Sequence, residues 1–198
     1  MNEYRLWYYE DMANKVIRAL EKNNIKGYYV KDIASARRLV LDLIPEGSSI
    51  GLGGSMTLNE LDLIKEFRSS KYVLYDRYKE GASPEEIEDA KRNALLADVF
   101  VTGTNAVTLD GHLINIDGNG NRVAAMIYGP KKVIVVTGIN KVVSDIDAGI
   151  KRCKEVAAVM NARRFNTTPE NISNCTVIIG KQPIDRMHVV IIGEVLGF

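Results

Sequence analysis

Two stretches of this sequence carry residues that build cores poorly and do chemistry well. The first, from Thr104 to Arg122, reads TNAVTLDGHLINIDGNGNR. Asn105, Asp110, Asp117, Asn119 and Asn121 surround a strand-like alternation, His112-Leu113-Ile114-Asn115-Ile116, that itself carries Asn115. Amides and carboxylates flanking a short strand offer hydrogen bonds to a polar ligand. The same composition also makes a hairpin with Asx-turns, because Asp-Gly occurs twice and is a strong hairpin signal. On the ligand reading, Thr104, Asn105, Ala106, Asn121 and Arg122 make the contacts and Asp117 is the general acid or base. Arg122 either clamps an anion bidentately or pairs with Asp117 to hold the loop.

The second stretch is Gly51-Leu52-Gly53-Gly54-Ser55-Met56-Thr57, between a predicted strand and a predicted helix. Open α/β sheets bind ligands at this end of their strands. Gly51, Gly53 and Gly54 permit positive φ and close approach to the backbone. Ser55 and Thr57 add hydroxyls, and a new helix adds unpaired N–H groups and a positive dipole end. The loop suits a phosphate, a carboxylate or a thioester carbonyl. It is not a Walker A loop, because no Gly-Lys-Ser/Thr follows, and it lacks the third glycine of a dinucleotide fingerprint. A tight turn with no ligand is the plainer alternative. Glu60 is a candidate catalytic carboxylate beside the loop, yet Thr57-Leu58-Asn59-Glu60 also has capping-box spacing. Asn140 and Lys141 follow a predicted strand ending at Thr137. A parallel sheet would bring them to the rim that carries Gly53 and Asn105. There Lys141 is either an electrophilic stabiliser or a solvated turn lysine.

The elements that must position these groups alternate along the chain. Met12, Val16, Ile17 and Leu20 predict a helix over residues 9–23. A strand at 27–30, a helix capped by Asp32, and a strand at Ser49–Leu52 follow. The next helix opens at Thr57 and buries Leu61, Ile64 and Phe67. Beyond a strand at 72–75, Ser83-Pro84 starts a helix running to about Ala97, and a strand follows at 99–102. Later strands fall at 132–137, 176–179 and 189–192, with a helix opening near Ser144. The expectation is a single α/β domain over residues 1–198, its largely parallel sheet flanked by helices. An N-terminal helix lies within 1–25 and closing strands lie within 170–198.

Bulk properties narrow the function. With 26 basic and 25 acidic residues, the net charge of +1 gives no reason to expect nucleic acid or an anionic membrane. No apolar run approaches the ~20 residues of a membrane span, and the charged N-terminus is unlike a signal peptide. A cytoplasmic protein is expected. Cys153 and Cys175 have neither metal-ligand nor disulfide-framework spacing, and Cys153 falls on an apolar helical stripe. His112 and His188 stand alone on strand patterns, so no metal site is expected. Asp145 and Asp147 suit the first turn of a helix. Trp7-Tyr8-Tyr9 reads as a packing patch or an oligomer contact compatible with a homodimer.

The chain resembles the LUD domain family, the lactate-utilisation protein B and C group. The resemblance lies in GLGGSMTLNELDL at 51–63, in the block from Ala97 to Arg152, and in the terminal EVLGF. It implies the fold shared by ribose-5-phosphate isomerase, glucosamine-6-phosphate deaminase and CoA transferases (the NagB/RpiA/CoA-transferase-like fold). By that analogy Gly53, Gly54, Ser55 and Thr57 bind an anion, and Asn105, Asp117, Asn121, Arg122 and Lys141 line the same cleft. The cysteine-rich stretch of many similar members is missing, for that region reads RRFNTTPENISNCTV with Cys175 alone. Two functions follow as expectations. One is an enzyme or binding protein for a small anionic metabolite: an organic acid, phosphosugar or acyl thioester. The other is a non-catalytic subunit or sensor docking to an iron–sulfur partner protein. Neither names a cofactor.

Overall fold

The computed structural model describes residues 2–69 and 71–198. Helix α1 (Glu3–Lys22) starts earlier than the apolar periodicity suggested, because the Asn2 side chain accepts from Arg5 N and caps it. Then come β1 (Lys26–Val30), α2 (Ile33–Asp42) and β2 (Ser49–Leu52). Two short helices follow in place of the one expected, α3 (Met56–Glu60) and α4 (Leu63–Phe67). Asp62, in the left-handed region at φ 52°, breaks them apart. Next are β3 (Val73–Tyr75), α5 (Pro84–Asn93), β4 (Val99–Gly103), β5 (Ala106–Thr108), β6 (Leu113–Asp117) and α6 (Asn121–Ile127). Strand β7 (Lys132–Gly138) leads through a 3₁₀ turn at Ile139–Lys141 into β8 (Val142–Val143). A continuous helical rod then runs through α7 (Ile146–Arg152), a π-helical turn (Cys153–Ala158) and α8 (Val159–Phe165). Helix α9 (Pro169–Ile172), β9 (Cys175–Ile179) and β10 (Met187–Ile192) complete the order.

The main sheet has six strands in the order β1-β10-β7-β4-β2-β3, and every pairing in it is parallel. Its central strands are apolar on both faces, as a sheet covered on both sides requires. Val133, Val135, Val189 and Ile191 pack under α1, while Ile134, Val136, Val190 and Ile192 pack under α2, α3 and α4. A smaller mixed sheet, ordered β8-β5-β6-β9, stands beside it. The first Asp-Gly of the amide-rich segment is a hairpin turn: β5 and β6 pair antiparallel, and Gly111 turns the chain at φ 85°. The π turn supplies Cys153, Ala157 and Ala158 to the core beneath this sheet, so Cys153 is a core residue as expected. The last strand in sequence, β10, lies between β1 and β7 rather than at an edge.

Candidate active-site cleft

Parallel pairing of β7, β4 and β2 puts their carboxyl ends on one rim. From β2 the chain leaves as Gly53-Gly54-Ser55, from β4 as Thr104-Asn105, and from β7 as the turn ending at Lys141. The rim therefore gathers three segments that sequence alone separates by up to about ninety residues. The first two of these border a cleft of about 310 Å³, whose walls include Gly54, Arg77, Asn105, Asp117, Asn121 and Arg164. A smaller inner pocket of about 30 Å³ shares Gly54, Asn105, Arg122, Asn161 and Arg164 with it and ends on Ser55, Lys141 and Phe198.

Gly51, Gly53 and Gly54 do not use the positive φ expected of them; the glycines in that region are elsewhere in the chain. Each has its own role. A Cβ on Gly51 would meet Ala94 at 2.7 Å, so this glycine seats the turn after α5 against the sheet. A Cβ on Gly53 would lie 2.1 Å from Thr102 Oγ1 and 3.1 Å from Arg122 Cγ. Only Gly54 is open, with Tyr78 Oη at 3.8 Å and Arg77 Nη1 at 4.0 Å as its nearest neighbours. The helix that follows has five residues, too few to sum an appreciable dipole, and Ser55 caps it without a side-chain bond. The capping box expected at Thr57 does not form. Thr57 is buried inside α3 with Oγ1 3.1 Å from Lys141 Nζ, and Glu60 Oε2 accepts from Gly197 N at 2.9 Å.

Arg122 is the hub of the amide-rich segment. Its Nη1 donates to Gly103 O (3.1 Å) and Asn115 Oδ1 (2.6 Å). Its Nη2 donates to Asn105 Oδ1 (2.9 Å) and Ile116 O (2.6 Å). Asp117 Oδ2 lies 3.7 Å from its Nε. These are the bonds that the loop-holding alternative expects, and Arg122 also lines both cavities. Burial pulls its pKa down, opposed by the Asp117 carboxylate. Asp117 Oδ1 accepts from Asn119 N and Gly120 N at 3.1 Å each, and Oδ2 from Val123 N at 3.3 Å. The second Asp-Gly is therefore an Asx-type start to α6 rather than a hairpin. Thr104 Oγ1 donates to Ala106 O at 3.0 Å, and Ala106 is buried in β5. Asn105 lines the cleft, and its Oδ1 accepts from Arg122 Nη2 and Ile116 N.

Lys141 is not the solvated turn residue that its position allowed. Only 3% exposed, it forms the floor of the inner pocket. Burial, with Arg152 and Arg122 nearby, lowers its pKa from 10.5 to about 7, against a weaker pull from Glu60. A C-terminal strap closes over it. Leu196 N donates to Asn140 Oδ1 at 3.0 Å, and a Cβ on Gly197 would meet Thr57 Oγ1 at 2.6 Å and Lys141 Nζ at 3.1 Å. Asn140 thus holds the strap and lines neither cavity.

Several cleft residues escaped sequence reasoning: Arg77, Asn161, Arg164, Phe165, Asn171 and Ile172. Asn161, Arg164 and Phe165 have i, i+3, i+4 spacing on α8, a face that a helical reading would have found. Arg77 sits in a loop fixed by Asp76, which accepts from Tyr78 N at 2.8 Å and from Arg68 Nε at 2.7 Å; no sequence pattern signals it. Arg77 and Arg164 make no ion pair among the described residues; each lies over an adjacent aromatic ring. Among the described residues no group of three or more His, Cys, Asp or Glu converges as a metal site would, and no helix is long and apolar enough to cross a membrane.

Compared with known proteins, residues 13–192 match the model of the LUD domain. No curated protein matches the chain. Among solved structures it is similar to a DUF162 family protein from Deinococcus radiodurans, at a TM-score of 0.55 and 12% identity. That alignment covers 93% of this chain and 98% of the other, and at this identity it speaks for the fold alone.

Proposed function

This chain belongs to the LUD domain family, and from that premise we propose that it binds a small anionic metabolite in the cleft between the Gly54 turn and α8. The observation that carries this reading is the presence of two guanidinium groups without an ion pair among the described residues, Arg77 and Arg164, on the walls of one cleft. The acidic wall residue of the same cleft, Asp117, already accepts from backbone N–H groups and lies beside Arg122. An anion entering there meets cations without displacing an internal partner. Asn105, Asn121 and Asn161 supply neutral donors and acceptors around it. Lys141, which lines the adjoining inner pocket, is the group we propose acts on what is bound, because burial lowers its pKa to about 7, which suits proton transfer.

The reading specifies a class rather than a compound: an organic acid, phosphosugar or acyl thioester, with the organic acid favoured by the size of the cleft. A thermal-shift screen against lactate, other hydroxy and oxo acids, sugar phosphates and CoA thioesters tests it. A ligand at a hundred times its Kd adds about 2.7 kcal/mol. That corresponds to roughly 2–4 °C per kcal/mol for a chain of this size. The expected result is an anionic hit lost in both Arg77→Ala and Arg164→Ala. A flat screen, or a hit indifferent to both substitutions, overturns the reading.

A further inference from the structure

We propose that Lys141 is an amine nucleophile that forms an imine with the carbonyl of a 2-oxo acid whose carboxylate is held by Arg164. The proposal rests on the cleft being a ligand site and adds a substrate class and a bond. Three observations carry it. The first is the geometry of the inner pocket: Lys141 closes one end, and Arg164 lines both the inner pocket and the outer cleft. One short molecule can therefore face both groups. The second is the lack of an acidic partner. Lys141 Nζ bonds to the neutral Thr57 hydroxyl at 3.1 Å, and no carboxylate lies within ion-pair distance of it among the described residues. A buried lysine kept for charge alone would be paired. The third is size: about 30 Å³ beside the amine has room for a carbonyl oxygen, and the rest of a short oxo acid extends into the adjoining cleft of about 310 Å³.

The chemistry balances without a further reagent. The nitrogen lone pair forms a C–N bond as the carbonyl π pair moves to oxygen. The proton leaving nitrogen reaches that oxygen, with the Thr57 hydroxyl within reach to relay it, and gives a carbinolamine. Loss of the hydroxyl as water, with the remaining nitrogen proton, leaves the imine. Amine plus carbonyl becomes imine plus water, and nothing is oxidised or reduced. Burial among Arg152 and Arg122 favours the unprotonated amine that the first step requires.

The test is reductive trapping of the whole protein with cyanoborohydride and either glyoxylate or pyruvate, followed by peptide mass mapping. Lactate, which has the carboxylate but no carbonyl, serves as the control. The expected result is preferential modification of Lys141 over the exposed Lys151 and Lys181, although burial alone would protect it. Arg164→Ala should slow Lys141 labelling by about tenfold or more, the loss of one charge-assisted hydrogen bond. Lys141→Arg, which keeps a cation but cannot form an imine, should abolish that labelling and leave the exposed lysines unchanged. If Lys141→Arg fails to fold, the ratio of Lys141 to Lys151 and Lys181 labelling in the unaltered protein decides alone. Labelling confined to exposed lysines, with anions still binding in the thermal-shift screen, overturns the imine and leaves the cleft reading standing. Neither labelling nor binding overturns both.

Discussion

Lys141 and Arg122 are both buried cations, yet the structure treats them in opposite ways, and their substitutions should differ accordingly. Arg122 is held by four hydrogen bonds to Gly103, Asn115, Asn105 and Ile116, with Asp117 alongside. Removing it strands buried acceptors and a carboxylate, so Arg122→Ala should cost roughly 3–5 kcal/mol by urea denaturation. Its loss of ligand would then report unfolding rather than a lost contact. Lys141 has one neutral partner and a pKa of about 7 against the ordinary 10.5. The unfolded chain therefore binds more protons than the folded one between those values, and stability rises with pH across that window. Below about pH 7 the full penalty applies, on the order of a few kcal/mol. Lys141→Met should be the more stable protein at pH 6.5, and the advantage should shrink by pH 9.5. Equal slopes of stability against pH in the two proteins would contradict the burial of a titrating amine.

At the scale of elements, the glycine loop and the rod α7–α8 each divide into supporting and site-forming parts. Gly53 is pressed onto Thr102, whereas Gly54 opens on the cleft. Gly53→Ala should destabilise by about 1–3 kcal/mol through overpacking. Gly54→Ala should stay within about 0.5 kcal/mol of the parent and show its effect on ligand affinity instead. Comparing melting temperatures with and without ligand separates the two. The π turn at Cys153–Ala158 adds a residue to its rod relative to α-helical winding, and it sets which face of α8 carries Asn161, Arg164 and Phe165. Deleting Lys154, an exposed residue of that turn, would rotate everything beyond it by about 100°. Circular dichroism should still show the helix, and the thermal shift on adding ligand should vanish.

Across the whole molecule, stability is concentrated in the centre of the six-stranded sheet. Strands β10, β7 and β4 are flanked by partners and covered on both faces, whereas β8 and β9 are the edges of the smaller sheet. Hydrogen exchange should be slowest in β10, β7 and β4 and faster in the edge strand β9 and in α9, whose Asn171 and Ile172 border the cleft. Ligand binding should add protection mainly at the border. If β9 exchanged as slowly as β7, the two sheets would be one cooperative unit and the cleft would not open independently.

The sequence by itself determined the α/β class, the parallel sheet and most strand positions, because each follows from short-range patterns: apolar runs, caps and turn residues. Ser83-Pro84 is one such case, and the capping box with Glu86 is present. For the two Asp-Gly pairs the sequence left hairpin and ligand loop as alternatives, and only the first pair turns a hairpin. Local pattern also reached the rim. Gly54, Asn105 and Lys141 follow strands, and parallel pairing makes such positions neighbours. Patterns alone misjudged Thr57 and Glu60, whose capping-box spacing is real but whose side chains find partners from distant segments, Lys141 and Gly197. They also left Arg122 undecided, since clamp and brace require the same residue. Only the tertiary structure showed which partners those side chains meet, and it alone brought Arg77 and Arg164 to one cleft. A hydrogen bond or a desolvated charge depends on what lies across space, and residues far apart in the chain meet only once the sheet has ordered its strands.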